Sequence, residues 1–208
     1  KDMFGHKKLG GIGDRVARAL RELSPKYNNG HRINVINQRL GYLVRSGNPD
    51  ALDSVVPMAF GQARVEGGGR GRAVFIYGVG WEAAAAWRFD VAQGSFLPRM
   101  DPHRRGSFAV LGAKLHQELF RGDPPLGARV RVGGESYRVI GVMEAKGQML
   151  GFDLDDTVYI PIMRAMAMFD RESLMEVDVL YAPGSDAAEL AERIRDRLIA
   201  RHGNEDFT

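Results

Sequence analysis

Alternating apolar and polar residues mark the middle of this chain. Val130 and Val132 alternate with Arg129 and Arg131, two glycines follow at Gly133 and Gly134, and Tyr137, Val139 and Val142 come next. Period-two alternation broken by a pair of glycines predicts a β-hairpin with its tip at Gly133-Gly134. The same reading places extended segments from Val55 and Val56 through Phe60 and Ala63 to Val65, and from Ala73 to Val79. The sequence between them, Glu66-Gly67-Gly68-Gly69-Arg70-Gly71, predicts a long, mobile hairpin tip. Further strands are expected at Val158-Tyr159-Ile160-Pro161 and over Val177, Val179 and Tyr181.

Helical spacing appears at several places. Leu111, Leu115 and Leu119 recur every four residues with Phe120 beside the last, and a Gly-Asp-Pro-Pro turn follows. Near the start, Val16, Ala19, Leu20 and Leu23 follow Asp14, and Ser24-Pro25 ends that helix. Residues 33–44 fit either a short strand or a second helix. Four alanines between Trp81 and Trp87 predict one or two helical turns, and Gly94-Ser95-Phe96 a turn. The methionine- and alanine-rich segment from Met163 to Met168 reads as core. The cleanest amphipathic helix carries Ala187, Leu190, Ala191, Ile194 and Leu198. Asp186 and Glu189 stand in its first turn, Arg201-His202 in its last, and Gly203 stops it.

Composition narrows the class without naming a chemistry. The chain has 208 residues, 44% hydrophobic and 26% charged, enough for one large domain or two small ones. Twenty-nine basic residues against 26 acidic leave a net charge of only +3, and the charges are interspersed. That describes a solvated surface rather than a nucleic-acid footprint. There is no cysteine, so disulfides and thiolate chemistry are excluded. The longest nearly apolar run, Ala73 to Trp81, is shorter than the roughly 20 residues a membrane helix needs. A chain opening on Lys1 rather than Met is expected to be a processed product or an excised fragment.

Candidate chemistry is sparse. Gly10-Gly11-Ile12-Gly13 lacks the preceding strand and the third small residue of a dinucleotide fingerprint, since Val16 stands there. The glycine tract at residues 66–71 has no Gly-Lys-Ser/Thr after it. His6, His31, His103, His116 and His202 lie far apart with no ligand spacing, and His116 is expected to face solvent beside Lys114 and Gln117. Asp101, His103, Arg104 and Arg105 read as a polar loop. Asp153, Asp155 and Asp156 are the densest carboxylate group, but the glycine and distant glutamate of a calcium loop are missing. They read as a loop whose acids accept hydrogen bonds from backbone before the strand at Val158. A hydrolase built on residues 153–156 is the rival reading, without a partner base in view.

Seven short motifs in a fixed order carry a resemblance. They are Val110-Leu111-Gly112, Glu118-Leu119-Phe120, Pro125-Leu126-Gly127 and Val132-Gly133-Gly134, then Tyr137-Arg138-Val139-Ile140-Gly141-Val142. Glu144-Ala145-Lys146-Gly147 and Asp155-Asp156-Thr157-Val158-Tyr159-Ile160-Pro161 complete the set. In this order and spacing they resemble the periplasmic core domain of MacB-type (MacB/FtsX-like) ABC transporter permeases. The likeness is strong over residues 94–161, fair over 174–208 and thin over 1–50.

The resemblance implies a single α+β domain, residues 1–208, with two lobes. A porter-like α/β lobe would take both chain ends, about residues 1–66 with 170–208, and a mostly β lobe would take residues 67–169. It further implies an extracytoplasmic domain of an inner-membrane permease, a fragment from between two transmembrane helices, that couples cytoplasmic ATP hydrolysis mechanically to efflux or to substrate or partner handling. The implied partners are an ABC ATPase domain or subunit, a second permease copy and a membrane-fusion or adaptor protein. No nucleic acid is implied, and the membrane enters only through flanking helices. No catalytic residue, cofactor-binding residue or metal ligand is expected, and the chain is not expected to be an enzyme. The alternative is a freestanding periplasmic binding or assembly module of the same fold. Residues 66–72 and 148–153 are the expected contact tips, on the ground that loop tips carry binding more often than strand faces.

Overall fold

The computed structural model describes residues 52–99, 106–149, 152–171 and 174–181, together with residues 186, 188–190, 192, 193, 196 and 200. The expectations at residues 1–51, at Asp101, His103, Arg104 and Arg105, and at Arg201, His202 and Gly203 lie outside the described residues. The chain divides into two units, Ala59–Phe169 and Lys1–Met58 with Asp170–Thr208.

Within Ala59–Phe169 the strands form a ring. Strand β1 (Leu52–Gly67) neighbours β2 (Arg70–Val79). β2 pairs in parallel with β9 (Thr157–Pro161), β9 antiparallel with β4 (Phe108–Leu111), and β4 in parallel with β6 (Glu135–Met143). β5 (Arg129–Val132) then pairs antiparallel with both β6 and β1, placing Val65 opposite Val132 and closing six strands into a barrel. Closure removes the exposed backbone edges that an open sheet of these strands would present. β3 (Val91–Gly94) adds to β6 beyond the start of β5.

Alternation decides which side of β5 and of the first half of β6 is dry, whereas β9 is buried on both sides. Val130 and Val132 are buried while Arg129 and Arg131 are exposed, as the sequence pattern requires. Val65, Val74, Ile76, Val139, Val158 and Ile160 are buried to 5% exposure or less. A side chain of this kind contributes roughly 1.5–3 kcal/mol when fully buried. Tyr137 is 1% exposed, and burial pushes its phenol up to about 12.

Three short helices pack on the barrel. Helix α1 (Ala83–Trp87) buries Ala83, Ala86 and Trp87, and α2 (Ala113–Phe120) buries Leu115, Leu119 and Phe120. Helix α3 (Ile162–Met168) follows β9 directly and buries Ile162, Ala165 and Met166, the core role expected of the methionine-rich segment. Gly78 permits α3 to lie this close: a Cβ there would stand 2.1 Å from that of Ala165.

Within the other unit, β10 (Glu176–Tyr181) pairs antiparallel with the start of β1, Val55 opposite Val179. Residues 188–190, 192, 193, 196 and 200 are helical, and Leu190 is buried. Asp186 stands before these turns as a cap rather than inside the first one. Its Oδ1 accepts from the amides of Ala188 (2.8 Å) and Glu189 (3.4 Å).

Candidate functional site

The two expected contact tips meet helix α2 within the barrel unit. The first is shorter and better anchored than its glycine content suggests. Gly67 and Arg70 belong to strands, so the turn is Gly68-Gly69 alone, with φ of 54° and 75°. Both angles are left-handed and suit a two-residue hairpin turn. A Cβ on Gly68 would stand 2.3 Å from the carbonyl oxygen of Leu119, so the tip rests on the end of α2. Arg70 Nη1 donates to that same oxygen at 3.2 Å, satisfying one of the carbonyls a helix C-terminus leaves open. The expected long mobile loop is therefore a tight, pinned turn.

Two residues along β2, Arg72 lies on the face that carries Val74 and Ile76. Its Nη2 donates to Asp156 Oδ2 at 2.7 Å, and Nη1 stands 3.4 Å from Glu118 Oε2 on α2. One turn earlier on the same helix, Lys114 Nζ donates to Asp153 Oδ2 at 2.6 Å and lies 3.9 Å from Asp156 Oδ2. Two cations thus bridge β2 and α2 to residues 153–156. The second tip is the small hairpin of β7 (Gln148–Met149) and β8 (Phe152–Asp153), which places Asp153 at the edge of this network.

The three aspartates do different work. Asp155 accepts from the amides of Lys146 (2.7 Å) and Gly147 (2.9 Å), which is the backbone role expected of this loop. Its own carbonyl accepts from Leu115 N at 3.0 Å. Helix α2 begins at Gly112 with no side-chain cap, so the loop's backbone supplies the cap instead. Asp153 accepts from Asp155 N at 3.1 Å, and the Lys114 ammonium holds its carboxyl below the usual range. The same bond raises Lys114. Asp156 moves the other way: burial raises it more than Arg72 and Lys114 lower it. Its Oδ1 is enclosed without a hydrogen-bond partner, as is Arg72 Nε, which accords with that direction.

His116 does not face solvent as expected. It is half-buried one turn before Phe120, with ring centroids 6.1 Å apart and Nε2 enclosed without a partner. The four-residue spacing that stacks Leu115 on Leu119 stacks His116 on Phe120. Neither Arg72 nor Lys114 could be tied to the aspartates by reading along the chain, because 84 and 39 residues separate them from their partners. Among the described residues no group of three or more His, Asp or Glu side chains converges as a metal site would require. Chemically the network is a set of cross-links: each of these aspartates already holds an amide or a cation.

Comparison with known proteins decides the kinship. The MacB-like periplasmic core domain matches residues 11–197. The chain belongs to this family. Among curated relatives, a macrolide export ATP-binding/permease protein MacB of Marinobacter nauticus is 35% identical over 133 residues, covering 60% of this chain and 21% of that protein. The corresponding protein of Nitrobacter winogradskyi is 36% identical over 122 residues, 57% of this chain and 19% of its own length. The chain thus spans about a fifth of these relatives. The periplasmic region of MacB from Actinobacillus actinomycetemcomitans has the same fold, with a TM-score of 0.66, 19% identity, and coverage of 83% of this chain and 77% of that one. So has the extracellular domain of YknZ, a noncanonic ABC-type transporter from Gram-positive bacteria: TM-score 0.67, 18% identity, coverage 82% and 86%. A mixed α and β architecture rich in strands is common to all three. Among the described residues no helix is long and apolar enough to cross a membrane.

Proposed function

We propose that this chain is the extracytoplasmic domain of a MacB-like ABC transporter permease. In this reading it lies outside the inner membrane and converts movement of flanking transmembrane helices into displacement of its own units. The family match over residues 11–197 carries the proposal. The physical character of the barrel unit supports it. A closed ring of strands cross-linked by Arg72 and Lys114 suits a body that transmits force without deforming. The partners would be an ABC ATPase domain or subunit, a second copy of the permease and an adaptor protein. The domain would carry no catalytic residue of its own, ATP being hydrolysed elsewhere.

The two units would act as lobes, a porter-like one from both chain ends and a β-rich one between. The divisions between Met58 and Ala59 and between Phe169 and Asp170 support a two-lobe arrangement whose first boundary lies several residues earlier than the motifs suggest. The test is the coding sequence around this segment. Hydrophobic spans of about twenty residues directly before Lys1 and soon after Thr208 are the expected result. A cleavable leader and a stop codon in their place would leave a freestanding periplasmic module and end the transporter reading.

A further inference from the structure

The barrel unit carries a second charged surface, which the ion-pair network does not use. On the outer face of β5 and β6, Arg129 lies directly opposite Arg138, and Arg131 opposite Ser136. Directly opposed residues of an antiparallel pair point to the same side, and like charges placed there repel. Arg129, Arg131 and Arg138 are all exposed. The next strand adds Glu66, opposite Arg131, and Arg64, which holds Glu66 through Nε at 3.0 Å. The face therefore sets four guanidinium groups against one carboxylate, and that carboxylate is already engaged. Arg131 is oriented by its own turn, its Nε and Nη2 donating to Gly134 O at 3.4 and 3.2 Å. At the far end Leu126 is 44% exposed, and its neighbour Gly127 stands within 3.9 Å of Arg138 Nη2 (measured to a Cβ built there).

We propose that this arginine face docks an acidic, extended segment of a partner protein. Arg129 and Arg131 are about 6.7 Å apart along the strand, the repeat at which an extended chain presents every second side chain. Guanidinium forks bind carboxylates in pairs of parallel hydrogen bonds, so carboxylates at alternate positions fit the face in register. The buried side of the same strands, Val130, Val132, Tyr137 and Val139, fixes the arginines on a dry, packed support. A bilayer is the weaker fit. Among the described residues the exposed large apolar side chains are Leu126 and Trp81, and stable membrane attachment needs more apolar area than that. The surface is argued from its charges alone and stands apart from the transport reading.

The experiment uses the 208-residue chain with a synthetic peptide of alternating glutamate and threonine, and, separately, vesicles of equal parts phosphatidylglycerol and phosphatidylcholine. The peptide should bind in a salt-sensitive way, and Arg129→Glu or Arg138→Glu should weaken binding about ten-fold or more. Arg88→Glu makes the same charge change at an exposed arginine that ends α1 rather than lying on β1, β5 or β6, and should leave binding nearly unchanged. Folding is checked independently, because Arg129→Glu turns a repulsive pair into an attractive one and should raise the melting temperature while binding falls. The proposal is overturned if the peptide does not bind, if Arg88→Glu weakens binding as much, or if only the vesicles bind.

Discussion

Arg72 on β2 and Arg129 on β5 are both strand arginines of one barrel, and their surroundings differ in every respect. Arg72 points to the side of α2, is one-third exposed, and meets Asp156 at 2.7 Å and Glu118 at 3.4 Å. Arg129 points away from the core and faces another arginine, Arg138. The first arrangement joins three parts of the chain that are distant in sequence. The second sets like charges at opposed positions of an exposed face, where repulsion is expected to cost about 0.5 kcal/mol. Charge that is paired inside a fold reports on how the fold is held, whereas like charges left opposed on a surface set up a local field that attracts groups of opposite charge.

The largest effect is expected under the paired end. Gly112 starts α2, and a Cβ there would stand 2.3 Å from the Asp155 carbonyl oxygen and 2.8 Å from its carbon. Both are backbone atoms and cannot rotate aside. Gly112→Ala should cost about 3 kcal/mol, by parting the helix from the loop that caps it. Gly134, at the arginine end, has a φ of 90° and nothing within 4 Å of a built Cβ. Gly134→Ala should cost only about 1 kcal/mol, from its left-handed backbone. Urea unfolding midpoints measure both, and equal losses would mean that the two ends are held alike.

Arg72→Met comes next. It keeps the unbranched stem but leaves the Asp156 carboxylate, whose Oδ1 is already enclosed without a partner, facing a thioether. A loss of about 1–2 kcal/mol is expected at neutral pH, where the carboxylate is charged and has lost its guanidinium. A neutral result would mean that water reaches Asp156 well enough to replace the guanidinium, and that the pair does not hold β2 to residues 153–156.

Two acids of the network, Asp153 and Asp156, also separate by pH. Asp153 is lowered by its bond from Lys114, so its contribution is present above the ordinary carboxylate value of about 4 and is lost as pH falls through its folded value. Asp156 is raised by burial, so its term has the opposite sign: it favours the fold below about 4 and fades as pH rises through the folded value. Lys114 is raised, and its contribution persists below about 10.4 and is lost above its folded value. Asp153→Asn should therefore flatten the melting-temperature profile on both the acid and the alkaline side. Flattening on one side only would show that the Lys114–Asp153 bond is not what couples them.

Legibility in the sequence followed range. The Gly133-Gly134 hairpin was readable because every residue that makes it lies within a few positions, and Val130 and Val132 fall inward as alternation demands. The core helix at Met166 and the strand at Val179 were readable for the same reason. The ring was not, because its parallel pairings join β2 to β9 and β4 to β6 across long stretches of chain. Nor was the cap of α2, which comes from a loop some forty residues later and leaves no Ser, Thr, Asp or Asn at Gly112. The tip at residues 66–71 misled because glycine signals permission to turn, not the length of the turn. Its tightness comes from the Leu119 carbonyl against which it packs.

The smallest expected effect tests the unpaired end directly. Arg129→Glu places a carboxylate opposite Arg138, in a cross-strand position where replacing repulsion by attraction is worth about 0.5 kcal/mol. In a chain of this size that amounts to a gain of about 1–2 °C in melting temperature, measurable against Arg88→Glu as a reference for net charge alone. The sign matters more than the size. A gain shows that Arg129 and Arg138 repel in the folded domain and that the natural residue is the less stable choice. A loss shows that the guanidinium groups stack or share solvent in a way that offsets their charge, and the contrast with Arg72 then shrinks to one of burial.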